Sequence, residues 1–358
     1  MGMIDQQFWK GKKVLITGNT GFKGSWLSMW LTQLGAQVTG YSLKPPTSPS
    51  LFELANLHSL YKTHFADIRD RETLRLVVQQ AKPEIVFHMA AQPLVRASYK
   101  NPVETYETNV MGTVYLLEAL RENNATTKAL INITTDKCYQ NNEWLWGYRE
   151  NEPLGGHDPY SSSKACSELV TASYRSSFYS EETSRMNIAS ARAGNVIGGG
   201  DWAEDRLIPD CLRQLWNDEL ITIRNPEAIR PWQHVLEPLS GYILLAQKLF
   251  EVGQSYAEAW NFGPDDSDAR PVKWIVEHLI QRWAGSQGYQ LEESQQPHEA
   301  NYLKLDCSKA KTHLNWAPRW SLETAIEKIV DWSQRYQKGE SVFDICIRQI
   351  EEYQNQTN

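Results

Sequence analysis

Cysteine is scarce and poorly arranged for cross-linking: Cys138, Cys166, Cys211, Cys307 and Cys346 are odd in number, and none forms a CxxC pair. That argues against a disulfide framework and a structural zinc site, so no metal is expected. Long apolar runs are missing as well; nothing approaches the ~20 residues of a membrane span. Met1 to Lys13 lacks the apolar segment and small-residue cleavage site of a signal peptide, so the cytoplasm is the expected compartment. Nor is there a basic surplus. A net charge of −7 argues against nucleic-acid and anionic-membrane partners, while leaving room for a local patch that holds a small phosphate ligand. The sequence has no internal repeat, and "KPPTSPS" (Lys44 to Ser50) is too brief for a domain linker.

What is present is an ordinary globular composition, 41% hydrophobic and 22% charged, on 358 residues, enough for one large or two closely joined domains. Fourteen tryptophans point mainly to core and helix packing, with some available to line a sugar or base pocket. "KKVLITG" (Lys12 to Gly18) is an apolar run that reads as a buried strand. Trp26, Leu27, Trp30, Leu31 and Leu34 then recur at helical spacing, Gly35 ends the helix, and "AQVTGYS" gives a second strand. "EIVFHMAA" (84–91), "KALINITT" (128–135) and "NIASARAG" (187–194) are further strands, with helices expected around 102–121 and over "PYSSSKACSELVTASYRSSF". Alternating strands and helices predict an α/β fold with a parallel sheet covered on both faces, and ligands beyond the strands' carboxyl ends. After about residue 196 the pattern loosens into Gly-, Pro- and Trp-rich loops, with "AWNFGP" (259–264) as a later strand end.

Two motifs carry chemistry. "GNTGFKG" places Gly18, Gly21 and Gly24 between strand and helix, where bare backbone turns sharply and approaches a pyrophosphate at the helix N-terminus. After the second strand stands Tyr41-Ser42-Leu43-Lys44, with no acid for a ribose 2′-hydroxyl. Ser42 suits that hydroxyl and Lys44 a 2′-phosphate, so these residues leave NAD and NADP both open. Asp67, in "ADIRD", is either an acceptor for the adenine amino group or a helix N-cap. The second motif is Tyr160-x-x-x-Lys164, one helical turn apart, where an ammonium near a phenol lowers its pKa towards neutrality. His88 and His234 read as packing residues.

With "HMAAQ" (His88 to Gln92), Asn109, Thr135, "RAGNVIGGGD" (192–201), "RPWQHV" (230–235) and "LDCSKAKTHLNW" (305–316), these motifs resemble the extended short-chain dehydrogenase/reductase family almost to the C-terminus. The resemblance implies a Rossmann-type doubly wound parallel sheet (residues 1–196 plus 232–262) that binds NAD, and a smaller nucleotide-sugar lobe (197–231 plus 263–358). It implies a homodimer packed through two helices per subunit, with tetramers left open. Gly18, Thr20, Gly21, Phe22, Gly24, Asp67, Ile68, Ala90 and Ala91 would hold the cofactor together with Tyr160 and Lys164. Gln92, Asn195, Arg206 and Arg230 would contact the substrate, the last by a guanidinium suited to phosphate. Thr135, Tyr160 and Lys164 would form the hydride-transfer triad acting at C4 of the sugar.

The residue after Thr135 separates reactions. An epimerase only rotates the C4 ketone, whereas a 4,6-dehydratase needs an added acid and base to remove the C5 proton and the C6 hydroxyl. Asp136 looks like the dehydratase acid; Lys137 stands where most dehydratases carry a glutamate base. A lysine serves as base only when neutral; protonated, it would pair with Asp136 instead. Within the family, Thr-Asp-Lys resembles the CDP-glucose 4,6-dehydratases, supported by "NTGFKGSWL", "GGHDPYSSSKACSE" and "GNVIGGGDWAEDRLIPD". The expectation is conversion of CDP-glucose to CDP-4-keto-6-deoxyglucose. The alternatives are a nucleotide-sugar 4-epimerase, a dehydratase of another nucleotide-hexose, and a non-catalytic dinucleotide sensor that would need none of the triad.

Overall fold

The central strands of the main sheet, over 13–17, 85–88 and 129–133, are short, apolar and almost wholly buried, as a sheet covered on both faces requires. The computed structural model describes residues 4–123, 126–180, 186–283, 285–292 and 302–356. Its strands run β1 (Lys13–Thr17), β2 (Gln37–Ser42), β3 (Lys62–Phe65), β4 (Ile85–His88), β5 (Ala129–Ile133), β6 (Asn187–Ala193), β7 (Asn195–Ile197), β8 (Ile221–Ile223), β9 (Ile229–His234), β10 (Ala259–Phe262), β11 (Ala269–Pro271) and β12 (Tyr289–Leu291). Seven of them form one sheet in the order β3-β2-β1-β4-β5-β6-β10, every pair parallel. Strand order reverses direction between β1 and β4, and ligands of such sheets bind at that crossing, past the carboxyl ends. Short strands build the lobe beside it: β11-β9-β7 in one sheet and β12-β8 in another.

The longer helices are α1 (Phe22–Gln33), α2 (Arg71–Ala81), α3 (Gly112–Glu122), α4 (Pro159–Phe178), α5 (Leu207–Trp216), α6 (Leu236–Glu251), α7 (Val272–Arg282), α8 (Leu322–Gln337) and α9 (Val342–Asn355). The expected stripe on α1 is only part of the truth: Gly24 to Leu31 are all buried, because α9 covers the side away from the sheet. Tyr353 of α9 meets Trp30 edge-on at 5.7 Å. The C-terminal helix, expected with the lobe (263–358), packs both on α8 and on α1 of the sheet domain, its apolar face joining the core of Trp26 and Trp30. Ile208, Leu212, Ile223, Ile275 and Ile329 form a second core in the lobe. The stretch after 196, read as loops, therefore contains five of these helices. Their tryptophans and glycines obscured an ordinary apolar period, most visible in α5 and α8.

The single helix expected over 102–121 is interrupted. Pro102–Tyr106 and α3 are joined by a π-helical turn, Glu107–Met111, which carries Asn109 inward. β4 and β5 also end sooner than expected, so that Met89 to Ala91, Thr134 and Thr135 leave the ladder at the sheet's carboxyl edge.

One buried charge holds this edge. Glu168, on the face of α4 that carries Tyr160 and Lys164, accepts from Arg192 of β6 at 3.0 and 2.9 Å, from Ser190 at 2.6 Å and from Thr134 at 2.5 Å. Both ions are almost fully buried. Removing one partner of a buried pair strands the other, so Glu168→Ala is expected to cost about 3–5 kcal/mol. Thr134→Val should cost only about 1 kcal/mol. Denaturant titration checks the ranking; equal losses would contradict it.

Candidate active site

The glycine loop joins β1 to α1 under tight steric limits. A Cβ on Gly24 would lie 2.2 Å from the Gly18 carbonyl oxygen, and one on Gly18 (φ +74°) would lie 2.7 Å from the Ala90 nitrogen. Those two glycines let the loop close on itself and on the end of β4. Gly21 differs: its nearest contact would be 3.4 Å, so the protein leaves space there. No side chain caps α1, and the first-turn N–H groups of a helix have no partner within it. Bare backbone, open space and uncommitted donors fit the diphosphate of a dinucleotide.

Around the loop the expected residues divide. Thr20 donates to the Leu43 carbonyl at 3.0 Å and so accepts from Ser42 at 2.8 Å, which leaves Ser42 as an acceptor for a ribose hydroxyl. The Thr17 hydroxyl accepts from the Met89 and Ala90 amides and donates to His88 Nδ1, fixing the His88 tautomer and the backbone leading to Ala91. Asp67 is gripped by Arg69, at 3.0 Å from Nε and 2.7 Å from Nη2, which pulls its carboxyl below the ordinary range. The N-cap of α2 is Asp70, so the capping alternative for Asp67 falls away. The Ile68 side chain is core, so close to α3 that a Cβ on Gly112 would meet it at 2.8 Å, which leaves only its backbone to face a cofactor.

Beyond β5 and β6 lies a cavity of about 530 Å³, lined among others by Phe22, Thr135, Lys137, Tyr160, Asn195 and Arg230. Arg206 joins that lining and is paired with Asp201 at 2.8 Å. Gln92 does not line it. Its amide bonds the Thr105 hydroxyl and both backbone groups of Leu94, so it stitches its own loop. Asn109 holds the same loop, bonding Gln92 on both sides of its peptide and Ser163 of α4.

Local rules place the catalytic candidates. Asp158 caps α4 and Pro159 opens it, which puts Tyr160 in the first turn and Lys164 one turn on. Thr135 caps a short turn, Asp136–Cys138, accepting from the Lys137 amide while donating to the Asp136 carboxylate at 3.0 Å. Asp136 is buried, and burial raises its pKa against the pull of Lys137, Thr135 and Arg230. Gly194 makes room for it: a Cβ there would stand 3.0 Å from Asp136 Oδ2. Burial lifts the Tyr160 phenol to about 12, while Thr135 and Arg206 draw it down. Lys164, expected to do that lowering, instead donates to the Ile133 carbonyl at 3.0 Å, and its own pKa falls to about 8 through burial. A second lysine joins the site. Lys23, one residue past Phe22, also lines the cavity, hidden from sequence reading because glycine spacing drew attention to its neighbours.

Comparison with known proteins matches this arrangement. The family described as GDP-mannose 4,6 dehydratase matches residues 15–329. CDP-glucose 4,6-dehydratase of Salmonella typhimurium is 56% identical over 358 residues, covering 99% of each chain. A dTDP-glucose 4,6-dehydratase from Bacillus anthracis, solved in complex with NAD, superposes with a TM-score of 0.76 at 21% identity, covering 92% of this chain and 98% of its own. UDP-glucose 4-epimerase from Thermotoga maritima gives 0.77 at 22% identity, over 90% and 99%. The two solved structures share the fold alone. The chain belongs to the GDP-mannose 4,6-dehydratase family, nucleotide-sugar dehydratases of the extended short-chain dehydrogenase/reductase type.

Proposed function

We infer that this chain is an NAD-dependent hydro-lyase that converts CDP-D-glucose to CDP-4-keto-6-deoxy-D-glucose and water. Asp136 is the observation that carries the reaction type: a buried carboxyl with a raised pKa, hydrogen-bonded to the Thr135 hydroxyl. An epimerase has no use for such an acid. The full-length likeness to the Salmonella enzyme supports CDP-glucose as the sugar nucleotide.

Tyr160 takes the proton of the C4 hydroxyl in its phenolate form, towards which Thr135 and Arg206 draw it, and Lys164 orients the site from beneath. NAD, when bound at the glycine loop, supplies the redox chemistry by accepting hydride from C4 and returning it at C6. The ketone acidifies C5–H, and we assign that proton to the neutral amine form of Lys137, which lines the cavity next to Asp136. Asp136 gives its proton to the C6 oxygen, which leaves as water. Once hydride has reached C6, Lys137 returns its proton to C5. Asn195, Arg206 and Arg230 line the same cavity and suit the nucleotide diphosphate.

A cytoplasmic homodimer completes the reading. Val103 and Leu169 are 69% and 58% exposed on neighbouring helices, with Tyr106 and Met111 also open, an apolar face suited to a second copy. The cysteines are free, four of them buried, which suits a reducing compartment. Among the described residues no helix is long and apolar enough to cross a membrane.

Incubation with CDP-glucose and NAD should yield a product lighter by one water, read by mass spectrometry; an isomer of equal mass would point to epimerisation. Asp136→Asn should slow water loss by roughly 10²–10⁴-fold yet leave single-turnover cofactor reduction in place. Wild-type water loss should fall as pH rises through the raised pKa of Asp136, because the protonated acid is the working form. An Asn variant of unchanged rate would sink the assignment. Val103→Glu combined with Leu169→Glu should halve the mass seen by light scattering, and an unaltered dimer would exclude this face.

A further inference from the structure

The cavity runs from Thr135 and Tyr160 into the lobe, and its lobe end has two polar groups whose hydrogen-bonding sense is fixed. Arg206 opens α5 and Asp210 follows one turn later, so their side chains share one face, and both line the cavity. Asp210 stands about 6 Å further along the axis than Arg206, the reach of a ribose from its phosphate to its base. From the other side β8 turns Thr222 and Arg224 to the same cavity, while Ile221 and Ile223 enter the lobe core. Arg213, itself held by the Trp202 carbonyl at 3.1 Å, donates to Asp210 Oδ1, which leaves Oδ2 an acceptor with no partner among the described residues. Burial raises the Asp210 pKa in spite of Arg213 and Arg224, as befits a carboxylate short of donors. The Thr222 amide donates to Gln214 Oε1 at 3.1 Å, so the Gln214 amide nitrogen faces Thr222 Oγ1 and donates to it, as Gln290 does from β12. With its lone pairs taken, the Thr222 hydroxyl has only its proton to offer. Arg224 is committed to Asp205 and Glu292 at 2.9 and 3.2 Å. Glu204 is exposed, where water serves it as well as a base would.

We propose that Asp210 and Thr222 read the edge of the pyrimidine and select cytosine over uracil and thymine. Asp210 Oδ2 accepts from the exocyclic amine of cytosine, and Thr222 donates to the ring nitrogen beside it. Uracil and thymine carry the opposite pattern, a carbonyl in place of the amine and an N–H on that ring nitrogen. They would set carbonyl against carboxylate, and N–H against a hydroxyl with no lone pair free. The inference rests on the reading that the substrate is CDP-glucose, and adds the residues that choose its base.

The test is calorimetric. CDP and UDP are titrated separately into the whole protein at about pH 8, which keeps the carboxylate ionised. Wild type should bind CDP roughly 10–100-fold tighter than UDP. In Asp210→Asn the amide oxygen stays on Arg213 and the amide nitrogen turns to the cavity, a donor where an acceptor stood. CDP should then weaken and UDP tighten, bringing the two within roughly threefold of each other. A gain for UDP is something that damage to the lobe does not produce. Thr222→Val keeps the shape and removes the proton; it should weaken CDP roughly fivefold and leave UDP within roughly twofold. A CDP-to-UDP ratio unchanged in Asp210→Asn overturns the proposal, and should that variant not fold, an unchanged ratio in Thr222→Val overturns it instead. A wild type that binds UDP as tightly as CDP defeats the CDP-glucose reading and this inference together. A wild type that prefers CDP, with variants that keep its preference, defeats this inference alone.

Discussion

Glu168 is the fixed point of this molecule. It lies on α4 two turns beyond Tyr160 and one beyond Lys164, so one helical face carries the phenol, the amine and the anchor. Burial opposes its charge, but Arg192 and the hydroxyls of Ser190 and Thr134 outweigh that cost and hold the carboxyl below its ordinary pKa. Through Thr134 the anchor locks α4 against the end of β5, which sets Tyr160 opposite Thr135. Arg192 extends the lock: it donates to the Tyr139 hydroxyl at 2.7 Å, and Tyr139 donates to Asn261 of β10 at 2.8 Å. Residues from β6, β10, α4 and the segment just past β5 are thus fixed in one buried network, and the geometry of the candidate site follows from it.

On that frame the two ends of the site have opposite electrostatic tasks. The substrate end gathers lysine and arginine around the cavity in a chain whose net charge is −7, so the positive field is local and suited to a diphosphate. The chemical end uses burial instead. Withdrawing Asp136 from water raises its pKa and so favours the protonated acid, and Gly194 supplies the room it needs. Three consecutive residues, Thr135 to Lys137, therefore combine a shared hydroxyl, an acid and an amine without long-range rearrangement.

Much of this was legible in the sequence, for physical reasons. Buried parallel strands must be nearly continuous apolar runs, so β1, β4, β5 and β6 announced themselves, as did Gly35, whose φ of +87° suits a residue just past a helix. Thr135, Asp136, Tyr160 and Lys164 stood out because a polar strand end and a four-residue helical spacing are local patterns. What stayed hidden depends on who packs against whom. The sidedness of α9, the core placement of Ile68 and the inward commitment of Gln92 are tertiary facts with no periodic signature. Lys23 was hidden differently: a lysine in a first helical turn ordinarily reads as solvated, and only the fold turns it towards Lys164 and Arg206. The high pKa of Tyr160 likewise comes from burial, which a four-residue spacing does not encode.

The central claim is that oxidation at C4 and reduction at C6 are two halves of one internal transfer, separated by the loss of water that Asp136 promotes. CDP-glucose labelled with deuterium at C4 tests it most directly, with the product read by proton NMR. The account predicts that the label reappears on C6 of a 4-keto-6-deoxy product. Label recovered at C4, or found in the solvent, would contradict it.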